Sequence, residues 1–281
     1  MEKLSCIILN YNTAEMTHKV VASFMVAAKK IDFEVIVIDN ASNEILPDFT
    51  DERVSLIRNQ NNLGFATGVN QGIQVSTGDR ILLLNSDVFI DETTLTTLIN
   101  YIDINPTTGI IGPMMKFPSG DFQASAGFIP TIWREFLRFS TVGKYISGGT
   151  LLYKNSQTET QFLKPIPVDW VSGGCMLINK KVIDTVGLLD EQYFFGIEDF
   201  DFCLRAKQHN FKTVYLPTVS VIHHHGYSSG GHASVYSLQR EKKGMGYFLS
   251  KHFKNNTFLH FVVMSLYSLK IFFLGTILGR K

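Results

Sequence analysis

With 281 residues, 45% of them hydrophobic, the chain is long enough to bury a sizeable core in one large domain, or in one domain with an appendage. A formal net charge of +1 removes any global electrostatic case for nucleic-acid binding, so no nucleic-acid partner is expected. Cys6, Cys175 and Cys203 are far apart and lack a CxxC spacing, which speaks against a disulfide framework or a zinc site and for buried free thiols in a reducing cytosol.

The amino terminus opens on a short apolar run, Cys6 to Leu9, that stops at Asn10-Tyr11-Asn12; it is too short for a signal-peptide core and reads as a first strand, Leu4 to Leu9. A helix over Thr13 to Lys29 follows, then strands at Phe33 to Ile38 and Val54 to Ile57, a helix over Ala66 to Val75 and a strand at Arg80 to Leu84. Four aliphatic residues in a row, Ile81 to Leu84, imply a strand covered on both faces, as in the middle of a parallel sheet. A helix over Glu92 to Ile104, capped by Asp91 and ending before Pro106, precedes a strand at Gly109 to Gly112. This alternation predicts an α/β fold with a mostly parallel sheet flanked by helices.

Regularity fades from Pro113 to Pro167, around Trp133 and Phe136, which reads as an excursion over the ligand face of the sheet. It returns where Gly173-Gly174 precede a strand and a short helix, followed by a helix from about Glu198 to His209 and a strand ending before Pro217. The segment SVIHHHGYSSGG reads as a further strand running into a glycine-serine loop. Residues 1–230 are therefore expected to form one domain, with a nucleotide-binding half over about 1–112 and a catalytic half over about 113–230. Residues 231–281 are expected to form a helical tail.

Three strands end in polar stretches: Asn10-Tyr11-Asn12, Asp39-Asn40-Ala41-Ser42 and Asn85-Ser86-Asp87. If the strands are neighbours these ends share one edge of the sheet, where open α/β sheets bind ligands. A cap or a turn explains Ser86 or Asp87 equally well when each is taken alone. Gly64, Gly68 and Gly72 match neither a GxGxxG nor a P-loop spacing, and tight helix-sheet packing accounts for the last two. Asp87 suits a hard cation, Mg²⁺ or Mn²⁺, to which His223 could add an imidazole; on a strand only His223 and His225 of the histidine run share a face. Glu198-Asp199 stand at a loop-helix junction, where carboxylates either favour the helix start or aim a general base into a cleft. Asp201 and Arg205 are spaced to pair along that helix.

The stretches SCIILNYN, VIVIDNAS, NLGFATGVNQGI, LLLNSDV, VDWVSGGCMLI, GIEDFDFCLRAKQHNFKTVYLP and VIHHHGYSS together resemble the family 2 glycosyltransferases of the GT-A fold, especially the bacterial rhamnosyltransferase-like members. The resemblance runs from about Leu4 to Ser229. It implies inverting transfer from a nucleotide-diphosphate sugar with a divalent cation on the diphosphate. By the same resemblance Asp39 reads the nucleotide, Asp87 is the metal-binding end of a DxD motif, His223 helps hold the metal and Asp199 is the base. Asn10, Tyr11, Asn12, Asn40, Asn62, Gly64, Asn70, Asn85 and Ser86 are the further residues expected around the donor; Asp169, Trp170 and Glu198 are expected at the acceptor. The first carboxylate of the motif is replaced by Asn85, as it often is in the rhamnosyltransferase-like members, so one neutral oxygen stands where an anion would. A non-catalytic nucleotide-sugar binder and a nucleotidyltransferase are the alternative readings.

The last stretch, Phe258 to Gly279, is apolar around its circumference and long enough to cross a bilayer, but it contains Lys270. Arg240, Lys242, Lys243, Lys251 and Lys254 lead into it and Arg280-Lys281 close it, a pattern that favours an anionic cytoplasmic membrane surface. An interfacial helix at the inner face of the cell membrane is the expectation, with a helix buried in a homodimer or against the domain as the alternative; the acceptor is expected to be a saccharide or polyprenyl-diphosphate-linked, and membrane attachment would suit the latter.

Overall fold

In the computed structural model, which describes residues 2–129, 131, 134, 164–224 and 235–278, the first strand lies at the centre of the parallel region. Strand β1 (Leu4–Asn10) runs parallel to β2 (Phe33–Asp39) on one side and to β4 (Arg80–Asn85) on the other, and β3 (Val54–Arg58) extends the row beyond β2. The alternation of side chains along β1 divides the interior. Leu4, Cys6 and Ile8 meet Val20 and Phe24 of α1 (Ala14–Ala27) and Leu95 and Leu98 of α3 (Glu92–Ile104). Ile7 faces the opposite layer with Val69 and Ile73 of α2 (Phe65–Val75). The expected cap is present: Asp91 accepts a 2.6 Å hydrogen bond from the Thr94 N–H at the start of α3. Gly68 and Gly72 serve packing, since a Cβ at Gly68 would strike the Leu9 side chain and one at Gly72 would lie 2.7 Å from Ile7.

The second half turns the sheet mixed. Strand β11 (Cys175–Asn179) runs antiparallel between β4 and β6 (Thr108–Lys116), and β12 (Lys212–His223) lies parallel to β6. The two strands expected on either side of Pro217 are one long strand, β12, with a register shift between Leu216 and Ser220. Pro217 has no N–H to give the ladder, and an irregularity is where a sheet tolerates it. Strand β5 (Val88–Phe89) pairs antiparallel with the end of β12, His223 opposite Val88. This closes a ten-stranded sheet of order β3-β2-β1-β4-β11-β6-β12-β5, with β7 (Phe122–Gln123) on β6 and β9 (Ile166–Val168) on β12. Strands β8 (Ala126–Gly127) and β10 (Trp170–Val171) form a separate pair. Part of the irregular 113–167 stretch, Trp133, Phe136 and His225 fall outside the described residues.

Helix α4 (Lys180–Val186) follows β11, and α5 (Glu198–Gln208) packs Phe202 and Cys203 under the sheet. The segment expected as a tail begins with α6 (Val235–His252), which shares a third core with the α5 region: Tyr193, Ile197 and Leu204 meet Met245, Phe248 and Leu249. Helix α7 (Thr257–Leu278) returns along α6 and adds Leu259, Val263 and Tyr267 to that core, one stripe at helical spacing. Its other faces expose Phe258, Phe261, Leu269, Phe272 and Phe273.

Candidate active site

The sheet register aligns the three polar strand ends. Asn10 stands opposite Asp39, and Leu9 opposite Asn85. Asn10 donates from Nδ2 to Asp39 Oδ1 at 2.8 Å and to Ser42 Oγ at 3.0 Å, while its Oδ1 accepts from Thr13 and Thr17. Ser42 also donates to Asp39 Oδ1, and the hydroxyls of Thr13 and Ser86 are hydrogen-bonded at 2.9 Å. The Asp39 carboxylate is thus fixed through one oxygen, leaving Oδ2 without a partner among the described residues. Tyr11 lies at the surface of this edge, and Asn12, at φ 56°, turns the chain and receives Asn43 N–H on Oδ1.

Asn40 and Asn62 hold the neighbouring loop. Asn40 donates to Asn62 Oδ1 and to Gly64 O, and accepts from Leu63 N–H. Gly64 occupies the left-handed region (φ 84°), and a Cβ there would lie 2.5 Å from Phe194 O. Asn70, on α2, is buried and exchanges hydrogen bonds with the Leu189 backbone, so it ties α2 to the 188–191 loop rather than lining the strand ends.

Asp87 is 1% exposed, and neither carboxylate oxygen receives a hydrogen bond among the described residues. A buried carboxylate in that condition is costly unless a cation meets it. His223 Nε2 lies 3.2 Å from Asp87 Oδ1, and His223 Nδ1 lies 3.0 Å from Gln123 Oε1. With Nδ1 donating to Gln123, Nε2 presents its lone pair beside the carboxylate, the arrangement of two ligands turned toward one cation. Among the described residues no group of three or more His, Cys, Asp or Glu side chains is placed to hold a metal, so water and ligand oxygens would have to complete a shell.

Asp199 lies across a glycine turn from this seat. Asn85 N–H donates to Gly174 O at 2.9 Å, and Gly173 N–H points to Asp199 Oδ2 at 3.4 Å. The Gly173-Gly174 pair therefore joins the end of β4 to the start of α5. Two left-handed residues, Gly196 (φ 82°) and Ile197 (φ 77°), lead into Glu198; for β-branched Ile197 that conformation is strained. Asp199 is half-buried, whereas Glu198 is 6% exposed with Oε2 unpartnered. Burial pushes the Asp199 carboxyl up to about 6, against the pull of hydrogen bonds from Gly173 and Phe200. Burial and then the Asp199 charge raise Glu198 further.

Of the residues expected at the acceptor, Trp170 stacks on Phe200, ring centroids 4.3 Å apart, and Asp169 accepts from Lys207 Nζ and Ile129 N–H. Both are engaged in packing. Asp201 does pair with Arg205, and Lys251 and His252 of α6 also reach Asp201 Oδ1 at 2.7 Å. The three cysteines are free and buried, and burial pushes the thiols of Cys175 and Cys203 up to about 12. Sequence reasoning missed Thr13 and Gln123, and it gave no role to Ser42, although that residue belonged to a polar strand end already singled out. The bridging role of Gly173-Gly174 had a signal, two adjacent glycines before a buried strand.

A model of glycosyl transferase family 2 matches residues 5–187, and one of glycosyl transferase family group 2 matches residues 131–279. The chain belongs to glycosyltransferase family 2. This glycosyltransferase is 25% identical, over 265 residues, to the N-acetylglucosaminyl-diphospho-decaprenol L-rhamnosyltransferase of Mycobacterium tuberculosis, across 89% of this chain and 85% of the relative. It is 28% identical, over 195 residues, to the dTDP-rhamnosyl transferase RfbF of Shigella flexneri, across 67% of this chain and 59% of the relative. Among solved structures, the mannosyltransferase PcManGT from Pyrobaculum calidifontis, in complex with GDP-Man and Mn²⁺, aligns with a TM-score of 0.58 at 12% identity, covering 94% of this chain and 70% of that one. That likeness carries the fold, the expected GT-A architecture of a central sheet flanked by helices.

Proposed function

We propose that this glycosyltransferase moves a sugar, rhamnose in the first instance, from a nucleotide-diphosphate donor to a lipid-linked saccharide, with inversion, in cell-surface polysaccharide synthesis. The observation that carries the reading is the Gly173-Gly174 turn, hydrogen-bonded to the Asn85 strand end on one side and to Asp199 on the other. Donor diphosphate and attacking hydroxyl then meet within one turn's breadth. The names of the two rhamnosyltransferase relatives support the sugar and the lipid-linked acceptor.

In this reading Asp39 Oδ2 accepts from a donor N–H or hydroxyl of the nucleoside while Asn10 and Ser42 hold the carboxylate still. Asp87 and His223 would hold Mg²⁺ or Mn²⁺; the carboxylate of Asp87, without a hydrogen-bond donor among the described residues, and an imidazole nitrogen 3.2 Å from it fit a hard cation. When bound, such a cation offsets the charge that builds on a nucleoside-diphosphate leaving group. Asp199, ionised at neutral pH yet basic enough to accept a proton, takes it from the acceptor hydroxyl as the oxygen attacks the anomeric carbon. The N–H groups of Gly173 and Phe200 hold its oxygens for that transfer.

Membrane contact is supported by α7, whose Thr257–Gly275 stretch has mean hydropathy 1.7 and is only 17% buried. Purified full-length chain should transfer rhamnose from dTDP-rhamnose to a polyprenyl-diphosphate-linked N-acetylglucosamine in Mn²⁺, with inversion at the anomeric carbon by product NMR. Release of pyrophosphate from a sugar phosphate and a nucleoside triphosphate, or binding of dTDP-rhamnose with no transfer to any acceptor, would defeat the reading.

A further inference from the structure

Helix α6 carries a guanidinium that the reaction above does not use. Arg240 is half-buried, its Cζ 4.7 Å from the ring centre of Phe194, 5.1 Å from that of Tyr236 and 5.9 Å from that of Phe195. Among the described residues no carboxylate or other acceptor takes its N–H groups. The rings themselves are open to solvent, 45% for Phe194, 52% for Phe195 and 65% for Tyr236. Stacking occupies the face of a guanidinium and leaves its edge, with the donors, directed outward; a planar edge of that kind matches phosphate oxygens in pairs.

The cluster is held firmly and close to the base. Phe65 N–H donates to Phe194 O at 2.8 Å, and Phe195 meets Phe65 edge-on. One turn beyond Arg240, a Cβ at Gly244 would lie 3.0 Å from Gly196 O, so α6 packs directly on the left-handed turn that aims Asp199. Lys242 and exposed Lys243 follow Glu241 on the same turn of α6. Helix α7 lies alongside: Tyr267 donates to Glu241 at 2.6 Å and Lys242 donates to Ser268 at 2.8 Å. That register brings the half of α7 bearing exposed Leu269, Phe272 and Phe273 next to the turn of α6 that bears Arg240. The guanidinium edge and its aromatic walls thus lie between the Gly64-Phe65 loop and the left-handed turn before Asp199, and α7, joined to the next turn of α6, carries its exposed apolar residues nearby.

We propose that Arg240, backed by Phe194, Phe195 and Tyr236, seats the diphosphate of a lipid-linked acceptor whose hydrocarbon chain runs onto the Leu269–Phe273 face of α7. The proposal rests on the lipid-linked acceptor of the preceding reading and adds where its diphosphate binds. Its chemistry is that of a prenyl diphosphate: two phosphates for the guanidinium edge, an apolar tail for the helix.

The test is binding of farnesyl diphosphate to the full-length chain in EDTA, by calorimetry, with farnesol as the uncharged control. Wild type should bind farnesyl diphosphate at least about tenfold more tightly than farnesol, and Arg240→Gln should erase that preference, the scale of lost charge-assisted hydrogen bonds. Arg240→Lys should restore only part of it. The preference should survive Asp87→Ala, because the strand ends are not involved. No preference in wild type, a preference kept in Arg240→Gln, or one lost in Asp87→Ala would overturn the site. Sugar transfer to prenyl-diphosphate acceptors separates the two readings. Transfer by Arg240→Gln with an unchanged acceptor KM leaves the reaction standing and removes the site, whereas Arg240-dependent binding without any transfer by wild type does the reverse.

Discussion

His223 Nε2 stands 3.2 Å from Asp87 Oδ1 because two-residue β5 pairs antiparallel with the end of β12. If the pair holds a cation, Asp87→Ala should make donor binding in Mn²⁺ indistinguishable from binding in EDTA. His223→Ala should be milder, since water replaces one neutral ligand. Gln123→Leu, which removes the partner of Nδ1, should lower Mn²⁺ affinity by about tenfold or more. Titrations of donor affinity against Mn²⁺ decide this, and a wild type indifferent to EDTA would remove the metal from the reading.

Asp199→Asn should leave the melting temperature and donor binding nearly unchanged while kcat falls by about 10²-fold or more. Because burial raises the carboxyl to about 6, kcat/KM of wild type should drop as the pH is lowered through 6, where the base becomes protonated. A pH-rate profile flat between 5 and 8 would dismiss Asp199 as the base.

Glu198 titrates well above an ordinary glutamate, because it is buried and then faces the Asp199 charge. Such a group keeps its proton in the folded state while the unfolded chain loses it, so stability falls as pH rises from the ordinary glutamate value of 4.5 toward about 8 and then levels off. Glu198→Gln cannot ionise; melts compared across this range should show wild type losing stability relative to the variant. Parallel curves would mean that Glu198 is not held neutral.

Asp201 is fully buried, and although burial raises its carboxyl, hydrogen bonds from His252, Lys251 and Arg205 hold it well below the usual range. Asp201→Ala should cost about 3–5 kcal/mol, as when one partner of a buried ion pair is removed. Wild type should lose this contribution as pH falls through the ordinary carboxylate range, where the unfolded chain takes up the proton that folded Asp201 refuses. Denaturant unfolding at pH 7 checks the first expectation, and a loss below 1 kcal/mol would contradict the network.

Deletion of α7 would also remove Leu259, Val263 and Tyr267 from the third core, so a cleaner probe of membrane contact is substitution on the outer faces. The triple variant Phe261→Glu, Phe272→Glu, Phe273→Glu should stay folded and fail to float with anionic liposomes. Wild type that ignores liposomes but runs as a dimer, with the triple variant a monomer, would transfer that face to a subunit contact.

Much of the first 112 residues was legible in the sequence. Its strands are continuous apolar runs closed by polar residues, and the short connections of a βαβ series leave few ways to pair them, so Asn10, Asp39 and Asn85 had to share an edge. The later strands were harder to read: β11 enters antiparallel between β4 and β6, and β12 continues through Pro217, because long-range pairing outweighs the local signals of proline and glycine there. Asp199 and His223 were singled out by residue type and position, a carboxylate at a loop-helix junction and an imidazole on a strand, and the motif resemblance added their roles. Only the tertiary structure brought them toward the strand ends, through the Gly173-Gly174 turn and the β5–β12 pairing, contacts made between segments distant in the chain. The same applies to Arg240 and the core shared by α5, α6 and α7. Local sequence determines the period and the cap of a helix, but which face meets which neighbour is decided by burial summed over the whole fold.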